Sequence, residues 1–172
     1  MSLPIRLSGL VPESIVDGPG LRFAVFTQGC PHHCEGCHNQ HTWDMSGGHM
    51  SDTDAVFAQI KKVKLLRGVT FTGGEPFAQA AACAEIGLRA RRELKYDIVT
   101  YTGYLYEELL ETAKLDPGVK KLLEATNYLI DGPFVLARRD LLLKFRGSGN
   151  QRILDITAYP NSPRAVELTD LK

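Results

Sequence analysis

The sequence predicts an α/β fold, and three observations support this. Short apolar stretches alternate with segments of helical spacing, which is typical of parallel β/α units. Most of the stretches end at a glycine-rich turn, and we count about five or six predicted strands. The chain has 172 residues, whereas a complete eight-stranded β/α barrel usually takes roughly 250. We therefore expect a single domain, residues 1–172, forming a partial, TIM-like barrel of parallel strands that is open on one side.

The strands are predicted from composition and from the turns that close them. Leu21–Thr27 is apolar enough for a buried strand, and 69–72 is rich in β-branched residues. The stretches 96–102 and 128–131 each end at a glycine, whereas the tail, 159–172, shows little periodicity. The predicted strands cover residues 4–10, 21–27, 69–72, 96–102, 128–131 and 152–157.

The helices are predicted where apolar residues recur at helical spacing. Ser51–Asp54 resembles a capping box at the start of the first helix. The apolar stripe of the second helix consists of Cys83, Ile86, Ala90 and Leu94. The predicted helices cover residues 52–65, 77–94, 105–113 and 118–125.

The composition argues against several classes of protein. Lys plus Arg equals Asp plus Glu, 20 of each, and this balance disfavours a dedicated nucleic-acid binder or a membrane-surface protein. No apolar run approaches the roughly 20 residues that span a bilayer, and the N-terminus lacks a secretory signal pattern. Three clustered cysteines and one distant cysteine make a poor disulfide framework. We therefore expect a cytoplasmic protein without nucleic-acid or membrane partners.

The strongest motif is Cys30-Pro-His-His-Cys34-Glu-Gly-Cys37, which follows the predicted strand at 21–27. Three thiolates this close together can hold three corners of a four-iron cluster and leave the fourth iron open. A structural zinc site needs four ligands, and the only other cysteine, Cys83, lies in a helical segment. The spacing therefore favours an iron–sulfur site. Zinc stays an alternative because several imidazoles lie nearby, those of His32, His33, His38 and His41.

A second motif, Gly73-Gly74-Glu75-Pro76, lies one β/α unit after the cysteine loop. Its glycines let the backbone approach a ligand closely, and exposed backbone groups can pair with a small zwitterion. An ordinary strand–helix turn explains the motif equally well when it is taken alone. Because active sites of α/β proteins lie at the carboxyl ends of strands, both motifs are expected at the same edge of the sheet.

These two motifs resemble those of the radical S-adenosylmethionine family. Asp17-Gly-Pro-Gly20, Cys37-His-Asn39 and Thr42-Trp43 further resemble the glycyl-radical-activating branch, and most of all the activating proteins of anaerobic (class III) ribonucleotide reductases. The resemblance extends over residues 16–156. One departure is His38, because that position is usually aromatic in the branch. The resemblance implies the partial (β/α) barrel of the radical S-adenosylmethionine type.

The resemblance also implies a set of functional residues. Cys30, Cys34 and Cys37 would hold a [4Fe–4S] cluster, whose fourth iron would bind S-adenosyl-L-methionine. The implied cofactor-binding residues are Cys37; Gly36 and His38 near the adenine; Gly73, Gly74 and Glu75 at the methionine end; and Thr102 and Asp131 in the pocket. The segment 146–152 also resembles a family segment, and a ribose or carboxylate contact and a plain surface loop are both open for it.

The implied reaction is radical chemistry on a protein partner. A flavodoxin-like or ferredoxin-like donor would reduce the cluster, and S-adenosylmethionine would be cleaved to methionine and a 5′-deoxyadenosyl radical. The radical would take a hydrogen atom from a glycine of the partner, expected to be an anaerobic ribonucleotide reductase. No catalytic residue beyond the cofactors is expected. Two alternatives stay open: a 7-carboxy-7-deazaguanine synthase-like enzyme acting on a small molecule, and a non-catalytic zinc-binding interaction module.

Overall fold

The centre of the fold is one mixed sheet of eight strands. The computed structural model describes residues 2–172, so that Met1 lies outside the described residues. The strands are β1 Pro4–Ser14, β2 Arg22–Thr27, β3 His49–Asp52, β4 Gly68–Gly73, β5 Asp97–Tyr101, β6 Tyr128–Asp131, β7 Arg152–Asp155 and β8 Val166–Leu168. The helices are α1 Thr53–Lys62, α2 Ala80–Arg89, α3 Tyr106–Ala113 and α4 Pro117–Ala125. A π-helical turn, Ala90–Leu94, extends α2, and short 3₁₀ turns cover Gln40–Thr42, Pro76–Gln79 and Leu136–Arg138.

The strand order is β3-β1-β2-β4-β5-β6-β7-β8, and only β2, β4, β5 and β6 run parallel to one another. The α/β class is confirmed, but the expected five or six parallel strands are wrong. Four of the seven pairings are antiparallel, so the sheet is not clearly a TIM barrel. The first and last predicted strands exist, but they flank the parallel strands in the opposite direction. For β1 the reason is its short connection to β2, because a parallel crossover needs a dozen or more residues.

Two edge strands, β3 and β8, were missed by the sequence prediction. Both are short, and most of their residues are exposed, so neither carries the apolar alternation that marks a half-buried strand. Short polar edges of this kind also discourage pairing with another chain. The segment after the cysteines therefore leads into β3, and the tail, 159–172, contains β8.

The helices cover one face of the sheet and form the main core with it. The predicted stripe of α2 is confirmed, with Cys83, Ile86 and Ala90 fully buried. The cap of α1 is Asp52, whose carboxylate accepts the N–H of Ala55 at 2.8 Å. The opposite face carries a smaller apolar cluster around Val99, Ile130, Ile153 and Leu171. None of the helices in the described chain is both long and apolar enough to cross a lipid bilayer.

The carboxyl ends of the four parallel strands meet at one edge of the sheet. The cysteine loop follows β2, and the Gly73–Pro76 motif begins at the last residue of β4. Segments 102–104 and 132–134 follow β5 and β6. The expectation that the sequence motifs lie at one edge is therefore confirmed.

At the opposite edge a buried arginine fastens the start of β2. Arg22 has no exposed surface, and its Nε donates to Thr70 Oγ1 at 2.7 Å. Its Nη1 donates to Pro19 O at 3.0 Å and lies 2.7 Å from Asp97 Oδ1. Burial lowers the pKa of Arg22, and the Asp97 carboxylate opposes that shift. The Asp17–Gly20 turn is thus held against β2 and β4 by Arg22 and Thr70.

We predict that Arg22→Ala lowers the free energy of unfolding by about 3 kcal/mol, because it removes a fully buried guanidinium and the hydrogen bonds that it donates to Thr70, Pro19 and Val69. Arg67→Ala is the matched control, since Arg67 Nε binds the same Asp97 carboxylate at 3.0 Å but its side chain is 36 % exposed. We expect that control to cost about 1 kcal/mol or less. Urea unfolding followed by circular dichroism measures both, and equal losses would contradict the prediction.

Candidate metal and cofactor site

The three motif cysteines line one cleft at the carboxyl edge of the parallel strands. The cleft has a volume of ≈ 130 Å³, and Cys30, Cys34 and Cys37 are all partly buried along it. Of the other predicted site residues, Gly73, Gly74 and Thr102 line it as well. The other lining residues include His32, which the sequence offered only as a possible zinc ligand, and Asn39 and Trp43, which carried the family resemblance without an assigned role. Gln151 lies in the segment 146–152, for which a ligand contact was left open, and Tyr101 had no assigned role.

Hydrogen bonds fold the cysteine loop back upon the residues that follow it. Gly29 N–H donates to Thr42 O at 2.6 Å, and Cys30 N–H donates to Trp43 O at 3.3 Å. Cys37 N–H donates to Cys34 O at 3.1 Å. Burial is the main cause that raises the pKa of Cys30. The loop is therefore a compact turn, and all three of its cysteines border the same cleft.

This donor set suits an iron–sulfur cluster. Three cysteines border one cleft, while the fourth, Cys83, is buried in the helical layer, where burial raises the pKa of its thiol strongly. In a four-iron cluster each thiolate binds a different iron, so the three sulfurs need not converge on one point. Among residues 2–172, no three His, Cys, Asp or Glu side chains converge on one point as a single metal ion would require.

The two glycines of the second motif allow the backbone to lie directly against the cysteine loop. Gly74 N–H donates to Thr27 O at 2.8 Å, and Glu75 N–H donates to Gly29 O at 2.8 Å. A Cβ at Gly74 would collide with the carbonyl oxygen of Gly29, and Gly73 has a φ of +92°, which side chains rarely tolerate. The N–H groups of Gly74 and Glu75 are thus hydrogen-bonded within the protein. At this motif the cleft presents the surfaces of Gly73 and Gly74 to a ligand.

The side chain of Glu75 does not line the cleft, although it was expected to position the methionine end of a ligand. It is 1 % exposed, and Oε1 lies 2.6 Å from His32 Nε2. Oε1 also accepts the Gly103 N–H at 2.8 Å and the Thr102 hydroxyl at 2.9 Å, and Oε2 accepts the Phe77 N–H at 3.1 Å. The carboxylate therefore connects three segments at the strand ends.

Asp131 lies beside the site without lining the cleft. It is fully buried and accepts the Tyr106 N–H at 2.8 Å and the Arg152 Nε–H at 3.0 Å. Arg152 also binds both carboxylate oxygens of Glu107, at 3.0 and 2.8 Å. The hydrogen bonds to Asp131 and Glu107 raise the pKa of Arg152. Asp131 thus joins the end of β6 to the starts of α3 and β7.

The two residues expected near the adenine, Gly36 and His38, are not among the residues that line the cleft. Gly36 has a φ of +75°, and a Cβ there would lie 2.7 Å from Leu136 Cδ1. His38 is exposed, and its ring centroid is 6.0 Å from that of Phe134, which does line the cleft. Residues 134–138 therefore pack on the cysteine loop, a contact that no local pattern in the sequence indicated.

Comparisons with known proteins agree with this donor set. A family model described as a 4Fe-4S single cluster domain matches residues 16–154. Three similar relatives are each named anaerobic ribonucleoside-triphosphate reductase-activating protein. The one from Vibrio cholerae serotype O1 is 36 % identical over 149 residues, 83 % of this chain and 92 % of that protein. Those from Escherichia coli (strain K12) and Enterobacteria phage T4 are 32 % and 31 % identical, over 81 % and 84 % of this chain and 92 % and 90 % of theirs.

One solved structure shows a weaker similarity. The crystal structure of QueE from Escherichia coli is 19 % identical, with a TM-score of 0.44. The match covers 60 % of this chain and 53 % of that chain, so the present chain spans about half of the solved one. A similarity at this level carries no argument about fold or function.

We predict that Arg152→Ala lowers the free energy of unfolding by about 3 kcal/mol, because Asp131 would stay buried without its charged partner. The control Glu107→Gln should cost less than about 1 kcal/mol, since that carboxylate is largely exposed. Arg152 lowers the pKa of Glu107, so the small contribution of Glu107 is present at neutral pH and is lost as the pH falls through that lowered pKa. Denaturant unfolding at neutral and acidic pH checks both statements, and a larger loss in Glu107→Gln would refute them.

Proposed function

We propose that this chain, which belongs to the family of anaerobic ribonucleoside-triphosphate reductase-activating proteins, activates an anaerobic ribonucleotide reductase. The observation that supports this best is the meeting of three cysteines and the Gly73-Gly74 turn at one cleft. When bound there, a [4Fe–4S] cluster and S-adenosyl-L-methionine would supply a 5′-deoxyadenosyl radical, which removes a hydrogen atom from a glycine of the partner.

The roles of the residues follow from their positions. Cys30, Cys34 and Cys37 would hold the cluster, because their thiols border one space. Gly73 and Gly74 line the cleft and would present backbone without side chains to the methionine end of S-adenosylmethionine. The adenine would lie towards the Gly36–His38 side of the loop, where Phe134 offers an aromatic wall to the cleft. The protein binds and orients the cofactors and supplies no acid or base.

The mixed sheet would serve this role as a partial barrel of the radical S-adenosylmethionine type. The four parallel strands carry the site at their carboxyl edge, and helices cover only one face of the sheet. The less covered face would give a loop of the partner a way to the cleft. The whole chain, residues 1–172, would act as one domain in the cytoplasm, where thiols stay reduced.

We predict that the chain, reconstituted without oxygen with iron and sulfide and then reduced, cleaves S-adenosylmethionine to methionine and 5′-deoxyadenosine. Addition of the reductase should then give the electron paramagnetic resonance signal of a glycyl radical. Each of the variants Cys30→Ala, Cys34→Ala and Cys37→Ala should abolish cleavage, because a cluster ligand is lost. Product analysis by liquid chromatography and the iron content of each variant test this.

Cys83→Ala is the matched control for the cysteine series. Cys83 lies in the helical core, so its loss leaves a small cavity but no gap in the ligand set, and cleavage should persist. A cleaving Cys34→Ala variant with its cluster intact would overturn the ligand assignment. A colourless protein that retains zinc and cleaves nothing would support the interaction-module alternative.

An acidic electron donor, flavodoxin-like or ferredoxin-like, would dock beside the cysteine loop. Residues 134–138 pack on that loop, and the chain that continues from them exposes Arg138, Arg139 and Lys144. None of these three side chains forms an ion pair within residues 2–172. Unpaired surface cations attract a protein of opposite charge and raise its rate of association.

We predict that the double variant Arg138→Gln/Arg139→Gln slows cluster reduction by an acidic flavodoxin about tenfold at low salt. The effect should fade as salt screens the charges. Reduction by a small chemical reductant should be unchanged, and Lys120→Gln/Lys121→Gln, which removes two exposed charges from α4, is the control. Stopped-flow absorbance measures all rates, and an equal loss in both double variants would exclude this docking surface.

A further inference from the structure

We propose that Glu75 is a positioning residue: through His32 and Gly29 it holds the cysteine loop in place, and it does not contact S-adenosylmethionine. This inference deepens the proposed function, since it rests on the loop as the cluster-binding segment. It departs from the expectation from sequence that Glu75 itself positions the methionine end. It accounts for a buried carboxylate that the proposed chemistry does not otherwise use.

The surroundings of Glu75 are composed of hydrogen-bond donors. Backbone N–H groups of Phe77 and Gly103 and the hydroxyl of Thr102 all point at its two oxygens. An ionised carboxylate accepts several hydrogen bonds and donates none, so it suits this position better than an amide does. With these contacts and the His32 ring, little of the carboxylate is left for a ligand. Its 1 % exposure agrees with that.

His32 is held from three directions. Its Nε2 lies 2.6 Å from Glu75 Oε1, and its ring meets the edge of Tyr104 with centroids 4.4 Å apart. The third contact is the backbone at Gly103, where a Cβ would lie 2.5 Å from His32 Cδ2. The neighbouring His33 instead stacks on Trp43, with centroids 4.7 Å apart. The two histidines thus attach the loop to different parts of the protein, and only His32 reaches the ends of β4 and β5.

Glu75 fixes the chain on both sides of Cys30. Before the cysteine, the Glu75 N–H donates to the carbonyl of Gly29 at 2.8 Å. After it, the Glu75 carboxylate binds His32, which lies midway between Cys30 and Cys34 in the sequence. Together with the backbone bonds to Thr42 and Trp43, these two attachments set where the first thiol of the motif lies relative to the glycine turn. A ligand-binding role would not require these two attachments.

The test measures amide hydrogen–deuterium exchange of residues 29–37 in the chain without its cluster. We expect His32→Ala and Glu75→Gln each to raise exchange at Gly29 and Cys30 about tenfold, since each removes a hydrogen bond to a charged group. The double variant should exchange no faster than the faster single variant, because both changes break one interaction. The controls are Glu35→Gln, an exposed residue in the loop, and His41→Gln, an exposed residue just after it. Both variants should leave exchange unchanged.

A second measurement separates positioning from direct binding. In the reconstituted protein, His32→Ala should weaken S-adenosylmethionine binding and lower the iron content to the same degree as Glu75→Gln. Exchange at the wild-type rate in His32→Ala, with weaker binding only in Glu75→Gln, would overturn the proposal and make Glu75 a ligand of S-adenosylmethionine. Additive effects in the double variant would also overturn it. Failure of the proposed function would show as absent cleavage in the wild type and leave the exchange result readable.

Discussion

The geometry of the cleft depends on the burial of one carboxylate among donors from separate segments. A buried charge is tolerated only when hydrogen bonds replace its lost water. For Glu75 those bonds come from the cysteine loop after β2, from the turn after β5 and from the 3₁₀ turn after β4. Because none of these segments supplies enough donors alone, they must meet for the carboxylate to be satisfied. The hydrogen bonds to Glu75 therefore hold these three segments together at the carboxyl edge of the sheet.

Buried charged side chains also join neighbouring segments at the end of β6 and at the amino edge of the parallel strands. Asp131, at the end of β6, takes the first N–H of α3 and the guanidinium of Arg152 on β7. At the amino edge, Arg22 binds Thr70 and Asp97 across β4 and β5. In each case a buried charged group joins neighbouring strands or the segments beside them. Specific polar contacts therefore set the position of the loops, and the apolar core supplies the general stability.

The sequence predicted the parts of this structure that depend on local spacing. The thiol spacing, the glycine turn, the four helices and the buried stripe of α2 all follow from residues close together in the chain. The direction of β1 and the short edge strands depend on distant pairing, and their exposed residues carry no alternating pattern. The direction in which the Glu75 side chain points could not be predicted from the sequence for a similar reason. Its partner His32 is 43 positions away, and no local rule joins the two.

The lack of acidic and basic side chains along the cleft has an electrostatic reason. Among the described residues that line it there is no Asp, Glu, Lys or Arg, although Glu75 lies directly behind its wall. Three thiolates would already concentrate negative charge in this small space, and a carboxylate facing them would add repulsion where little water screens it. The Glu75 carboxylate is instead surrounded by hydrogen-bond donors behind the wall of the cleft. It therefore adds no such repulsion and still attaches the cysteine loop. An incoming ligand that carries both charges, as a sulfonium amino acid does, then meets a wall without carboxylate, ammonium or guanidinium groups.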